Sequence, residues 1–409
     1  MLWNDFIPEF FYFSPDSGSH HFGALNGRFR AFSFFLEVDD ILTDQQYMRR
    51  ALELAARGTG WASPNPMVGA VIVKDEEIIA EGWHHKCGGL HAERDALSRC
   101  TRDPAGATMY VTLEPCCHTG RQPPCVNAIL EAGISRVVIG SPDPNPLVAG
   151  KGISILQENG VAVRIGVLRA ECDRLNRVFL HYITHKQPYV VMKYAMTLDG
   201  KIAAYTGLSK WVTGEEARAH VQTQRHRYTG IMVGVGTVLA DDPMLTCRME
   251  GGRNPIRIIC DSQLRTPLDS QLVQTAGEIP TILATCIKEP ARHAPYEAAG
   301  CTVLVTPPQA GRVDLPFLMK ELGRREIDSI LLEGGGTLNW SMLSAGRVSG
   351  VQAYIAPKLF GGHFAKTPVE GQGFPSPDQA VLLDAPVVTQ LGPDILIESE
   401  VKNNVYRNR

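Results

Sequence analysis

What the chain lacks narrows its function before any motif is read. No apolar run approaches the roughly 20 residues that a membrane span needs, so no membrane association is expected. Neither sign of charge dominates, since 40 Lys and Arg stand against 43 Asp and Glu for a net of -3. Basic stripes with interleaved aromatics are missing as well, which disfavours a nucleic-acid partner, because neutralising phosphates takes clustered cations. A small substrate is the simpler expectation. The 10 cysteines are scattered through the chain instead of forming a dense framework, and no signal peptide precedes them. A reducing cytoplasmic location with metal-binding thiols fits better than a disulfide scaffold. Solenoid repeats and low-complexity tracts are absent too.

What is present suits a soluble multidomain protein: 409 residues exceed one ordinary core, so roughly two or three domains are expected. Residues 1–41 are aromatic, with Phe10, Phe11, Tyr12, Phe13, Phe34 and Phe35, but show no period, no signal-peptide core and no Arg-rich transit pattern. They are read as an N-terminal extension from an upstream start codon, with a docked oligomer arm as the alternative. Thr43-Asp-Gln-Gln46 has the form of a capping box ahead of a helical pattern that stops at Gly58. A hairpin over Met67–Lys74 and Glu77–Trp83, a helix from Ala92, a strand over Ala107–Leu113 and a helix opened by Pro124 follow. Strand Arg136–Gly140, helix Ile153–Asn159, strand Val161–Ile165 and one helical stretch, Ala170–His185, complete a three-layer α/β/α sandwich over 42–187. A second α/β domain spans 188–409. It begins with strand Tyr189–Ala195, continues with a helix capped by Thr213-Gly-Glu-Glu216, and contains six or more strands in all.

The densest chemistry lies between His91 and Cys125. His91, Cys116 and Cys125 form the imidazole-plus-two-thiolate set of a catalytic zinc site, with the fourth position left open for water. Glu93, two residues after the histidine, is close in sequence without having to bind metal, so it is the candidate proton shuttle. The expected reaction is hydrolytic deamination of a nucleobase-like ring, with one zinc per chain. Cys117 and His118 are read as outside the metal shell, although a structural four-ligand site using one of them is an alternative. Eight residues separate Cys116 from Cys125, which departs from the Pro-Cys-x-x-Cys of most zinc deaminases.

His91-Ala-Glu93, Thr112-Leu-Glu-Pro-Cys116 and Pro123-Pro-Cys125, together with Pro64-Asn-Pro-Met-Val-Gly69, Gly82-Trp-His84 and Asp143-Pro-Asn-Pro146, resemble the deaminase half of the bifunctional riboflavin-biosynthesis deaminase–reductases. In that family the longer cysteine gap is the norm. The resemblance runs over about residues 42–400. It implies a cytidine-deaminase-like zinc domain whose substrate is a diaminopyrimidinone carrying a ribosylamino 5-phosphate, met by Asn65, His84, His118, Arg121, Asp143 and Asn145.

In the second half, Gly234-Val-Gly236 and Gly334-Gly-Gly336 each lack the third glycine of a dinucleotide fingerprint. Lys193–Lys201, Ser209-Lys-Trp211, Gly236–Pro243, Leu245–Arg248 and Glu333–Gly336 resemble the family's reductase half, which implies a dihydrofolate-reductase-like fold using NADPH. Carried over by position, Ala195, Trp211, Thr237, Asp241, Ser262, Gly335, Gly336 and Thr337 would contact NADPH. Ser209, Arg225, Leu245, Arg248 and Glu333 would hold the substrate, with Asp241 or Asp199 assisting proton transfer. The resemblance further implies a homo-oligomer. Two alternatives stand beside the bifunctional enzyme: a zinc deaminase whose second domain only packs or binds, and a nucleic-acid-editing deaminase, which the charge balance disfavours.

Overall fold

The computed structural model describes residues 43–119 and 122–402. The aromatic N-terminal stretch, Gly120 and Arg121 therefore lie outside the described residues. Helix α1 covers residues 43–56.

Strands β1 (Gly69–Lys74) and β2 (Glu77–Trp83) form the expected hairpin. Helix α2 (Ala92–Leu97), strand β3 (Thr108–Leu113), helix α3 (Cys125–Glu131), strand β4 (Arg136–Ser141), helix α4 (Lys151–Glu158) and strand β5 (Ala162–Ile165) follow. The sheet order is β2-β1-β3-β4-β5, antiparallel through β3 and parallel beyond it. Alternation along the strands builds two cores. Ala70, Ile72, Met109, Val111, Val137 and Ile139 face one cluster, whereas Val71, Val73, Tyr110 and Val138 face another with Met48 and Leu54 of α1. Helices thus cover both faces of the sheet, as a three-layer sandwich requires.

The helical stretch expected over 170–185 is two helices, α5 (Arg169–Leu175) and α6 (Arg177–His185). Asn176 interrupts them. Its buried amide accepts from Met67 N at 2.8 Å and donates to Met67 O at 2.9 Å, tying the break to the segment that precedes β1.

The second sheet begins with β6 (Tyr189–Thr197). Helix α7 (Glu215–Arg227) starts from Gly214, which has no side chain to cap it, so the proposed Thr213 capping box does not form. Instead the Gly214 amide donates to Asp394 Oδ2 at 2.6 Å. Then come β7 (Gly230–Gly234), α8 (Val235–Asp241), β8 (Ile256–Cys260), α9 (Gln271–Gln274), β9 (Thr281–Thr285), α10 (Pro290–Ala298) and β10 (Thr302–Val305). A two-residue ladder, β11 (Pro308–Gln309) with β12 (Arg312–Val313), precedes α11 (Leu315–Arg324), β13 (Ser329–Leu332), α12 (Gly336–Ser344) and β14 (Gly350–Ala356). The chain closes with β15 (Val387–Leu391) and β16 (Asp394–Glu400), a hairpin that hydrophobic pattern alone did not reveal. The order β10-β9-β8-β7-β13-β6-β14-β16-β15 is parallel until β16 and β15 add an antiparallel edge. Met232, Ile258 and Ile282 pack on one face, Ile231, Ile259 and Leu283 on the other. Ligand clefts in such parallel sheets open at the carboxyl ends of the strands, and both candidate sites lie there.

Candidate functional site

The first site gathers at the ends of β3 and β4. His91 is the N-cap of α2, and Pro124 is the N-cap of α3, which makes Cys125 that helix's first residue. Leu113 of β3 leads directly into Glu114-Pro115-Cys116. His91 Nδ1 lies 3.4 Å from the Sγ of both Cys116 and Cys125, and the three donor atoms fall within 4.8 Å of one another. A tetrahedral zinc with ordinary Zn–N and Zn–S bonds separates such donors by about 3.5 Å. The set therefore fits zinc, with no fourth protein ligand in the cluster among the described residues. A hydrogen bond from Cys125 and the neighbouring His91 hold the Cys116 thiol well below its ordinary range, while the same bond and burial push Cys125 up.

Glu93 is 4% exposed and sits beside the cysteines. Burial, reinforced by the charge of Cys116, raises its carboxyl to about 7. Arg94, which sequence reasoning passed over, donates to Pro123 O at 3.2 Å and Pro124 O at 3.0 Å. The helix carrying Glu93 thus clamps the turn that presents Cys125.

Around this centre, His84 Nδ1 donates to Leu90 O at 2.8 Å and its Nε2 accepts from Asn65 Nδ2 at 3.1 Å. Those partners assign the neutral tautomer, and burial pulls its pKa down in agreement. The His84 and His91 rings meet edge to face with centroids 5.5 Å apart. Asp143 Oδ1 accepts from Asn145 N at 2.8 Å, and Asn145 Oδ1 accepts from Leu147 N at 3.1 Å. His118 Nδ1 is buried without a partner among the described residues. Cys117 turns away from the metal cluster, its thiol donating to Leu147 O at 3.5 Å.

The second site is a cleft of about 650 Å³ at the ends of β7, β8 and β13. Thr237, Asp241, Ser262, Gly335, Gly336 and Thr337 line it, as does Ser209. Gly335 is the N-cap of α12, so the free amides of that helix start face the cleft, an arrangement suited to a pyrophosphate. Ala195 and Trp211 do not line the cleft. Ala195 packs against the cluster around Tyr354, and Trp211 is exposed, with the Arg218 guanidinium 4.8 Å above its ring.

Glu333 follows β13 and accepts from Arg225 Nε and Nη2, both at 2.9 Å, with Lys193 Nζ at 3.7 Å. Burial pushes this carboxyl up, but Arg225 and Lys193 outweigh it and hold it at about 2. Arg225 also donates to Thr246 O at 3.0 Å, so its guanidinium braces Glu333 and the following loop and is not free for a phosphate. Lys193, which no site assignment included, lies largely but not fully buried beside them. Arg248 is exposed, and Leu245 is buried with a left-handed φ of 52°. Asp199 accepts from Phe360 N at 3.1 Å and Gly361 N at 2.6 Å, which with the Thr197 hydroxyl keeps it at about 2.

One chain therefore carries a zinc deaminase centre and a nucleotide-binding reductase cleft. The family described as the cytidine and deoxycytidylate deaminase zinc-binding region matches residues 42–141, and the RibD C-terminal domain matches 188–397. The riboflavin biosynthesis protein RibD of Actinobacillus pleuropneumoniae is 57% identical over 357 residues, 87% of this chain and 95% of that protein. Its counterpart in Escherichia coli K12 is 40% identical over 375 residues, 87% and 99% of the two chains. Among solved structures, Acinetobacter baumannii RibD superposes with a TM-score of 0.80 at 36% identity, covering 89% of this chain and all of that one. A Thermotoga maritima diaminohydroxyphosphoribosylaminopyrimidine deaminase/5-amino-6-(5-phosphoribosylamino)uracil reductase gives 0.78 at 36% identity, with the same coverage. The chain belongs to the RibD family, the bifunctional zinc deaminases and NADPH-dependent reductases of riboflavin biosynthesis. No helix among the described residues is long and apolar enough to cross a membrane.

Proposed function

We propose that residues 42–187 deaminate a diaminopyrimidinone bearing a ribosylamino 5-phosphate, and that residues 188–409 reduce the ribosyl chain of the resulting 5-amino-6-(5-phosphoribosylamino)uracil to ribityl. The observation that carries the first half is the His91–Cys116–Cys125 cluster with buried Glu93 beside it. Zinc held by those three side chains supplies Lewis acidity toward water at the ring carbon. Glu93 takes the protons of the attacking water in turn and delivers one to the ring nitrogen and one to the departing amine, so that the ring carbon keeps the water oxygen as a carbonyl and the amino group leaves as ammonia. Neutral His84 and Asn65, already hydrogen-bonded to each other, read the ring edge, as do Asp143 and Asn145. His118, whose buried Nδ1 has no partner among the described residues, meets the phosphate-bearing end, and Arg121 is assigned to the same end from the family resemblance alone.

At the second site NADPH supplies the hydride that reduces C1 of the opened sugar. Thr237, Asp241, Ser262 and the Gly335–Thr337 turn hold the cofactor. Ser209, Leu245 and Glu333 orient the substrate, and Arg248, exposed and with no ion-pair partner among the described residues, takes its phosphate. Arg225 acts through Glu333. Asp241 is the better proton-handling group, because the oxygens of Asp199 are committed to a loop. Val387 and Val388, 49% and 62% exposed on the edge strand, support assembly with further copies of the chain, and 10 free cysteines suit the cytoplasm. Metal analysis and ammonia release test the reading. Glu93→Gln should retain zinc while deamination falls by about a thousandfold; loss of zinc in that variant contradicts the shuttle role.

A further inference from the structure

Glu114 stands between β3 and the first zinc-binding cysteine and is 3% exposed. Among the described residues no cation pairs with it. Its oxygens are met instead by three backbone amides from one later segment: Oε2 accepts from Asp143 N at 3.3 Å and Gly150 N at 3.1 Å, and Oε1 from Ile153 N at 3.4 Å. Amide donors of this kind stabilise a buried carboxylate.

The donors have a pattern. Asp143 opens the loop after β4, Gly150 is the N-cap of α4 with φ 81°, and Ile153 is the third residue of that helix. Gly150 has no side chain to cap α4, so Glu114 supplies from a distant segment the acceptor that a Ser or Asp would normally provide. The contact is tight: a Cβ added at Gly152 would lie 2.3 Å from Pro115 O and 3.3 Å from Glu114 Oε1. Cys117 Sγ donates to Leu147 O in the same loop. The Glu114–Cys117 turn and the 143–153 segment are thereby fastened together at both ends.

We infer that Glu114 is a positioning residue of the deaminase: by holding three amides of the 143–153 segment it fixes Asp143 and Asn145 at a set reach from the cysteine two residues away, and so governs substrate binding. This rests on the reading of Asp143 and Asn145 as substrate contacts. Glu114 touches neither the metal cluster nor the ring. In Glu114→Gln one acceptor oxygen becomes an amide donor facing amide donors, so at least one of the three bonds is lost.

The test is a cycle in the full chain, with the reductase half as internal control. Glu114→Gln should raise the deaminase KM by about tenfold, the scale of one lost charge-assisted bond, with kcat little changed. Zinc stays at one per chain, and NADPH oxidation on the deaminated substrate is unaltered. In an Asp143→Ala, Asn145→Ala background the same substitution should add almost nothing, because the residues it positions are gone. An equal KM increase in both backgrounds, or loss of zinc, would overturn the inference. A double alanine variant with normal KM would instead overturn the substrate reading on which it rests. Amide exchange on the unsubstituted protein gives an arm that needs no variant: Gly150 and Ile153 should be protected, and exchange as fast as in free peptide would contradict the contact.

Discussion

The two active sites solve the placement of buried charge in opposite ways. At the deaminase centre an imidazole and two sulfurs crowd within 4.8 Å, with Glu93 buried against them, and among the described residues no arginine or lysine is paired with the cluster. Burial pushes the Glu93 carboxyl toward its neutral form, as the Cys116 hydrogen bond and burial do the Cys125 thiol. In the reductase, Glu333 is matched by Arg225 and Lys193 before any ligand binds. The first site is therefore a donor set suited to a metal, whereas the second is organised by its own ion pairs.

The largest expected difference follows from metal removal. Chelation, or Cys125→Ser, should reduce ammonia release to background while NADPH oxidation on the deaminated substrate persists. Parallel loss of both activities would show that the halves are not independent. Next in size, Glu333→Gln leaves Arg225 and Lys193 buried without their partner, and unpairing a buried ion pair costs about 3–5 kcal/mol. The reductase should lose about a hundredfold or more in turnover, with the deaminase spared. The pH dependence has a definite sign. Glu333 ionises at about 2 in the fold against an ordinary 4.5, so its contribution to stability is fully present above 4.5 and is lost as pH falls from there toward 2. Acid titration of the reductase half, followed by tryptophan fluorescence, should show that decline, and Glu333→Gln should lack it.

A smaller effect separates the two arginines. Arg248→Ala should raise the reductase KM for the phosphorylated substrate by about tenfold with kcat maintained, while Arg225→Ala should lower kcat through the misplacement of Glu333. Equal behaviour of the two would contradict the division of roles. The smallest effect is structural: Asn176→Ala leaves both backbone groups of Met67 without partners and should lower stability by about 1–3 kcal/mol, read from denaturant midpoints.

The same contrast explains what the sequence could reveal. His91 and Cys125 are 34 positions apart, and each begins a helix, so residue type and local spacing disclosed the zinc centre. Arg225 and Glu333 are 108 positions apart, and nothing local tells an arginine on a polar helix face that its partner follows β13. Resemblance to a family placed Arg225 near the substrate but could not tell a brace from a contact. Glu114 reads in the sequence only as part of a motif, because its three donors come from 29 to 39 residues later. In the fold, buried apolar strands such as β6 and β13 were plain from their composition. Val387–Leu391 and Asp394–Glu400 were not, since β15 is exposed along nearly its whole length and so carries no alternation between a buried and a solvent face.

The central claim is that one chain holds two separate sites acting in order. Glu93→Gln isolates them most directly. Given the diaminopyrimidine substrate, this variant should release almost no ammonia and consume no NADPH, yet it should oxidise NADPH at the unsubstituted rate when supplied with the deaminated product. Failure to oxidise NADPH with that product, or oxidation with the undeaminated substrate, would contradict the account.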